Sequence, residues 1–79
     1  MSRRLGAPAR EHVRADRWGV PMAVGDEHVE AVREEWVVED RWWTDRPLRR
    51  RYFELVLAQG RNVVVFRDLG RGNWFTQRA

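Results

Sequence analysis

The hydrophobic positions of the chain are concentrated in two runs, residues 49–58 and 62–68, both rich in aromatic and branched side chains. A short segment that contains Gly60 separates them, and two such runs around a glycine turn predict a β-hairpin. In a two-residue turn with Gly60 in the second position, Ala58 pairs with Arg61. This pair would set the register of the whole hairpin.

The predicted register assigns the two faces of the hairpin, because directly paired residues point to the same side. The core face should then carry five apolar side chains: Phe53, Leu55, Leu57, Val64 and Phe66. The opposite face should carry Tyr52, Glu54, Val56, Val63, Val65 and Arg67. At the open end of the hairpin, Arg51 and Asp68 are expected to form a cross-strand ion pair.

A third strand is predicted at residues 73–77, after a four-residue turn that contains two glycines. Pairing of Asp68 with Asn73 would place Phe66 opposite Phe75 on the core face. The three strands then form an antiparallel meander with one continuous apolar face.

The other face of this meander is the candidate binding surface. There Arg67 is expected to lie opposite Trp74 and beside Tyr52, a row suited to cation–π stacking. Arg50, in the basic run of residues 49–51, is suited either to contact with a phosphate backbone or to neutralisation of the acidic part of the same chain.

Residues 32–38 are predicted to form a further strand, with Val32, Trp36 and Val38 on the same side. A short helix capped by Asp26 is the alternative, because the apolar positions from Val29 to Trp36 also fit helical spacing.

The N-terminal third is predicted to add a hairpin, residues 8–15 and 19–24, that turns at residues 16–19. Residues 1–6 are expected to be disordered. Residues 41–47 form a connection, because the proline at its end cannot donate to a sheet.

Seventy-nine residues, of which 43% are hydrophobic and five are tryptophan, support one compact core. We therefore expect a single domain over residues 1–79, mainly β, with a small antiparallel sheet or a partly closed barrel built on the C-terminal three-stranded meander. The absence of cysteine favours the cytoplasm. The absence of a long apolar run argues against a membrane partner.

Charge is segregated along the chain, and all fifteen cationic side chains are arginine. Residues 1–25 hold five arginines and two acids, residues 26–45 hold two arginines and eight acids, and residues 46–79 hold eight arginines and two acids. Such blocks either create an oriented electric field or pair across a sheet.

Catalytic chemistry is poorly provided for. The neighbouring acids Glu34 and Glu35 point to opposite faces of a strand and form no carboxylate dyad. His12 and His28 match no metal-ligand spacing. We therefore expect neither an enzyme nor a bound cofactor or metal.

Trp42 and Trp43 are adjacent, and two adjacent indoles cannot both lie on one face of an extended chain. One is expected in the core, while the other caps the sheet or stays exposed as an anchor for a base or a partner protein. Packing of both under the connection is the alternative.

A string of residues between 35 and 77 resembles a known family. It consists of Trp36, Trp42-Trp43, Pro47, Arg50-Arg51-Tyr52-Phe53, Gly60, Val65-Phe66-Arg67-Asp68-Leu69, Trp74-Phe75 and Gln77. It resembles a small bacterial domain family of unknown function, and also the C-terminal tail of ImuB-type proteins, the Y-family polymerase-like components of the DNA-damage mutasome. The N-terminal third departs from that pattern at Trp18-Gly19-Val20-Pro21.

The resemblance implies an accessory role in error-prone translesion DNA synthesis, through contact with a polymerase, another mutasome protein or DNA. The first hypothesis is a non-catalytic protein-interaction module that uses Tyr52, Arg67 and Trp74, with Trp42 or Trp43 as an anchor. The second is a small nucleic-acid-binding β domain that uses its arginine-rich aromatic face. Open sheet edges would also allow a homo-oligomer.

Overall fold

Seven antiparallel strands form one sheet in the computed structural model, which describes residues 8–40, 43–45 and 47–77. In chain order they are β1 Ala9–Arg10, β2 Val13–Ala15, β3 Pro21–Val24, β4 Glu27–Asp40, β5 Leu48–Leu57, β6 Asn62–Asp68 and β7 Trp74–Gln77. The prediction of a mainly β fold is confirmed, and the segment around residues 32–38 is a strand rather than a helix. Within the described residues, no helix is long and apolar enough to cross a membrane.

The sheet is curled into a half-barrel with the strand order β1-β7-β6-β5-β4-β3-β2. Its two edge strands, β1 and β2, are consecutive in the chain and are joined only by Glu11 and His12. The Glu11 N–H donates to the carbonyl of Trp74 at 3.0 Å, whereas the His12 carbonyl accepts from the N–H of Gly25 at 2.7 Å. These two residues therefore connect the two edges of the curled sheet and hydrogen-bond to the chain at each edge.

The hydrophobic core lies on the concave face of this sheet, which we call the inner face. Its buried members are Val24, Phe53, Leu55, Leu57 and Val65. Five partly buried side chains pack around them: Val13, Val20, Val29, Val63 and Trp74. Strands β2 and β3 thus contribute to the same core as the C-terminal meander.

The turn between β5 and β6 contains three residues, not the predicted two. The N–H of Leu57 donates to the carbonyl of Arg61, and the N–H of Gly60 donates to the carbonyl of Leu57, both at 2.8 Å. Gly60 has a φ of 81°. A tight turn followed by a left-handed glycine is the usual geometry of a three-residue hairpin loop with a bulge. Leu57, rather than Ala58, therefore closes the ladder with Arg61.

This one-residue difference exchanges the two faces of β6 relative to β5. Phe53 lies opposite Val65, and Tyr52 lies opposite Phe66. The prediction that Phe53 and Phe66 share the core face is therefore wrong. Phe66 is 1% exposed, but it is covered on the outer face, the convex side opposite the core.

The predicted ion pair between Arg51 and Asp68 is wrong for the same reason. Arg51 lies opposite Arg67, and Asp68 lies opposite Arg50. The register between β6 and β7, by contrast, is confirmed, since Arg67 lies opposite Trp74.

Strand β4 contains two register shifts, one between Val29 and Ala31 and one between Val32 and Glu34. Each inserts an extra residue, which reverses the alternation of side chains beyond it. Val32 therefore shares the inner face, whereas Trp36 lies on the outer face; the prediction that they share a side is wrong.

The N-terminal hairpin is confirmed for β2 and β3, but its first strand is interrupted, and β1 pairs with β7 instead. The turn is fixed by Asp16, whose carboxylate accepts from the N–H groups of Trp18 at 2.9 Å and Val20 at 3.0 Å. The expectation for residues 1–6 lies outside the described residues.

Gly60→Ala should lower the free energy of unfolding by about 1 kcal/mol, because an alanine at positive φ is strained. Nothing lies within 4 Å of a Cβ built at Gly60, so the cost comes from the backbone alone. Gly60→Asn is the control, because asparagine tolerates this conformation. Urea unfolding of the two variants checks the difference; equal stabilities would contradict the assigned turn.

Candidate interaction surface

Four aromatic rings from four adjacent strands form a row on the outer face, which we call the outer ladder: Trp36, Tyr52, Phe66 and Phe75. The Trp36 and Tyr52 rings are stacked, with centroids 5.2 Å apart and planes 6° apart. Tyr52 and Phe66 follow at 4.9 Å, and Phe66 and Phe75 at 5.1 Å. Directly paired positions on β4, β5, β6 and β7 produce this row.

The two ends of the outer ladder differ. At the β7 end, strand β1 places the Arg10 guanidinium over Phe75, 6.0 Å from the ring centroid. At the β4 end, Trp36 is 37% exposed. Because β3 pairs with β4 only through Glu27 and His28, no strand of the described chain lies beyond Trp36. The ladder is thus capped at one end and open at the other.

Arg50 covers the middle of the outer ladder. Its guanidinium carbon is 4.5 Å from the Phe66 centroid, and its Nη1 donates to the Tyr52 hydroxyl at 3.2 Å. Its Nε is buried and has no hydrogen-bond partner among the described residues. A buried donor without a partner lowers the stability of the isolated domain, so it requires an explanation.

Strand alternation separates Arg50 from its two arginine neighbours. Arg49 pairs with Glu39 at 3.4 Å, and Arg51 pairs with Glu35 at 2.5 Å, both on the inner face. Within the described residues, no ion pair includes Arg50. Acidic side chains of β4 therefore neutralise Arg49 and Arg51 of β5. Arg50 is the residue of this arginine run that has no acidic partner among the described residues.

Asp68, which lies opposite Arg50, is engaged elsewhere. Its Oδ1 accepts from the N–H of Gly70 at 2.8 Å and from the N–H of Arg71 at 3.2 Å. The carboxylate thus holds the turn between β6 and β7 in place, and Arg50 keeps its positive charge over an aromatic ring.

The predicted row of Tyr52, Arg67 and Trp74 is not formed. Tyr52 lies on the outer face, but Arg67 and Trp74 lie on the inner face with the core. The Arg67 Nε donates to the carbonyl of Gly72 at 3.3 Å, and the Trp74 ring packs 5.8 Å from Phe53. Of the residues predicted for the binding face, the structure therefore brings together Tyr52 and Arg50.

Trp43 lies in the connection between β4 and β5 and is 67% exposed, as one of the two adjacent indoles was expected to be. Trp42 lies outside the described residues, so the expectation that one of the two indoles lies in the core stays a prediction.

The surroundings of the outer ladder carry both signs of charge. Glu34 lies directly opposite Glu54 in the next row of the outer face. In the described parts of the chain, no group of three or more histidine or acidic side chains could hold a metal ion. The outer face is therefore an aromatic surface with arginine and carboxylate groups beside it.

Comparison of the chain with models of known protein families, with curated proteins and with solved structures finds no match. The chain's own surface is therefore the basis for a functional proposal.

Arg50→Met should change the free energy of unfolding by no more than about 0.5 kcal/mol, because the unbranched side chain still covers Phe66 and the unpaired Nε is removed. Arg51→Met should lower it by about 1 kcal/mol, because Arg51 also donates to the Trp18 carbonyl at 2.8 Å. Urea unfolding checks both. Equal losses would mean that Arg50 is held in place for stability.

Proposed function

We propose that this chain is a non-catalytic protein-interaction domain that contacts its partner through the outer ladder and Arg50. The observation that carries the proposal is the row of four aromatic rings in contact on the face of the sheet opposite the core. The solvated face of an antiparallel sheet is normally polar. An aromatic row there that ends in a 37% exposed tryptophan, Trp36, indicates a surface that another molecule covers.

The composition of this surface suits a protein partner. Tryptophan, tyrosine and arginine contribute a large share of the binding energy at protein interfaces. A carboxylate of a partner would also pair with the Arg50 guanidinium, which takes part in no ion pair among the described residues. Binding would thus give this guanidinium a negatively charged partner.

The resemblance to the ImuB-type tail indicates which cellular process this surface could serve. Several residues that carry the resemblance meet on the outer face: Trp36, Arg50, Tyr52, Phe66 and Phe75. We therefore propose an accessory role in error-prone translesion DNA synthesis, with a polymerase-related mutasome protein as the partner.

Nucleic-acid binding is the second candidate, because Arg10 and Arg50 both lie over rings of the outer ladder. It is less well supported, since each ring of the outer ladder contacts a neighbouring ring and, within the described residues, Trp36 is the one ladder ring with no second ring or guanidinium beside it. The facing carboxylates of Glu34 and Glu54 would also repel a phosphate backbone.

The test is quantitative affinity purification of the tagged chain from bacterial cells exposed to a DNA-damaging agent. The wild type should enrich a polymerase-related protein, and a double variant, Trp36→Ala with Arg50→Ala, should recover about ten-fold less of it. Trp18→Ala is the matched control, because Trp18 is an exposed indole whose backbone carbonyl accepts from Arg51, a residue of the inner face. Equal recovery by all three proteins would contradict the proposal.

Fluorescence anisotropy with single-stranded DNA separates the two candidates. The protein-interaction proposal predicts no binding at low salt. Binding that weakens steeply with salt and is lost in the Arg50→Ala variant would replace it with the second candidate.

A further inference from the structure

The second notable feature of the surface is the open edge of β4. Strand β3 pairs with β4 only at Glu27 and His28, while β5 pairs with it as far as Asp40. Over residues 29–40, β4 therefore has a neighbour on one side only, within the described chain. Such an edge presents free backbone groups to which another strand can bind.

The ladder of hydrogen bonds shows which backbone groups are free. Because the N–H of Leu57 bonds to β6, alternate residues of β5 point toward β4, and Tyr52 is one of them. Its partner Trp36 therefore directs its N–H and C=O toward β5. The backbone groups of Glu35, Val37 and Glu39 point to the open edge.

An apolar groove lies at the start of this edge, where β3 turns away from β4. It has a volume of about 360 Å³, and its lining consists of Pro21, Met22, Val29, Ala31 and Val32 together with His28 and Glu30. Further along the edge, Trp36 and Val37 are also exposed. The side chains of an added strand would thus find apolar contacts along the edge.

The charge of β4 indicates which kind of strand it would accept. The strand contains six acids and one arginine. Antiparallel pairing with β4 of a second copy would bring acids against acids, which is unfavourable. Glu30 and Glu34 take part in no ion pair among the described residues, so they remain open to a basic partner.

The β7 end of the outer ladder shows how a strand added to β4 could cover the exposed ring of Trp36. There β1 adds to the edge of β7 and places Arg10 over the last ring, that of Phe75. A strand added to β4 opposite Trp36 would place its own side chain on the free face of that indole. An arginine there would make the same cation–π contact and would face the acidic edge.

We propose that the open edge of β4 binds an extended, arginine-containing segment of a partner protein by β-strand addition, with one arginine stacked on Trp36. This inference rests on the proposed function, since it names the chemistry of the partner. Backbone hydrogen bonds would supply affinity, and the arginine would supply specificity.

The test is a titration of the ¹⁵N-labelled full chain with a peptide of alternating arginine and valine, about nine residues long, the length of a long strand. Amide signals of Glu35, Val37 and Glu39 should shift and become protected from solvent exchange. A peptide with glutamate in place of arginine, and the arginine peptide N-methylated at alternate residues, should each bind about ten-fold more weakly.

A substitution in the chain tests the same backbone contact. Val37→Pro removes an N–H that points to the open edge and none that bonds to β5, so it should weaken peptide binding about ten-fold. Val37→Thr is the matched control, since it keeps both the N–H and the branched side chain. If Val37→Pro alters the amide spectrum of the whole sheet, the N-methylated peptide gives the same answer on the unchanged protein.

Three outcomes would overturn the inference. The first is equal binding of the N-methylated peptide, which would show attraction by charge alone. The second is protection of the β4 edge without peptide, together with a dimer in sedimentation, which would make a second copy the occupant. The third is no binding at millimolar peptide. In that case, recovery of a cellular partner that depends on Trp36 and Arg50 would leave the proposed function standing.

Discussion

The left-handed conformation of Gly60 is the constraint on which the rest of the structure depends. It allows a three-residue turn between β5 and β6, and this turn decides which side chains of β6 join Phe53 on the inner face. Val65 goes to the core, and Phe66 goes to the outer face. One glycine conformation thus divides the aromatic residues between the core on the inner face and the outer ladder.

The outer ladder follows from this division. Once Phe66 lies outward, pairing across four strands brings Trp36, Tyr52 and Phe75 into one row with it. Arg50 is placed over the row and has no carboxylate partner in the part of the chain that the structure describes. The two ends of the row then depend on the sheet edges: β1 closes one with an arginine, and β4 leaves the other open. The proposed interaction surface and the proposed strand-binding edge therefore meet at Trp36 on β4.

Local patterns were sufficient to predict the strands of the meander and its β6–β7 register, because two glycines fix that turn. The β5–β6 register was not predictable in this way, since residues 63–66 are apolar at four successive positions and satisfy the core in either register. The bulges of β4 leave no mark in the alternation, so the pattern places Val32 and Trp36 on one side although they lie on opposite faces. The pairing of β1 with β7 joins the two ends of the chain and has no local signal. Arg50 was a candidate from the sequence, but its separation from Arg49 and Arg51 required the observed pairing.

The register of β5 and β6 can be measured directly from nuclear Overhauser effects between α-protons of the full chain. The N–H of Leu57 donates to the carbonyl of Arg61, so these residues form a hydrogen-bonded pair, and the α-protons closest across the strands belong to the alternate pairs. A strong effect between Tyr52 and Phe66 is the predicted result. A strong effect between Phe53 and Phe66 would mean a two-residue turn, return Phe66 to the core and remove the outer ladder.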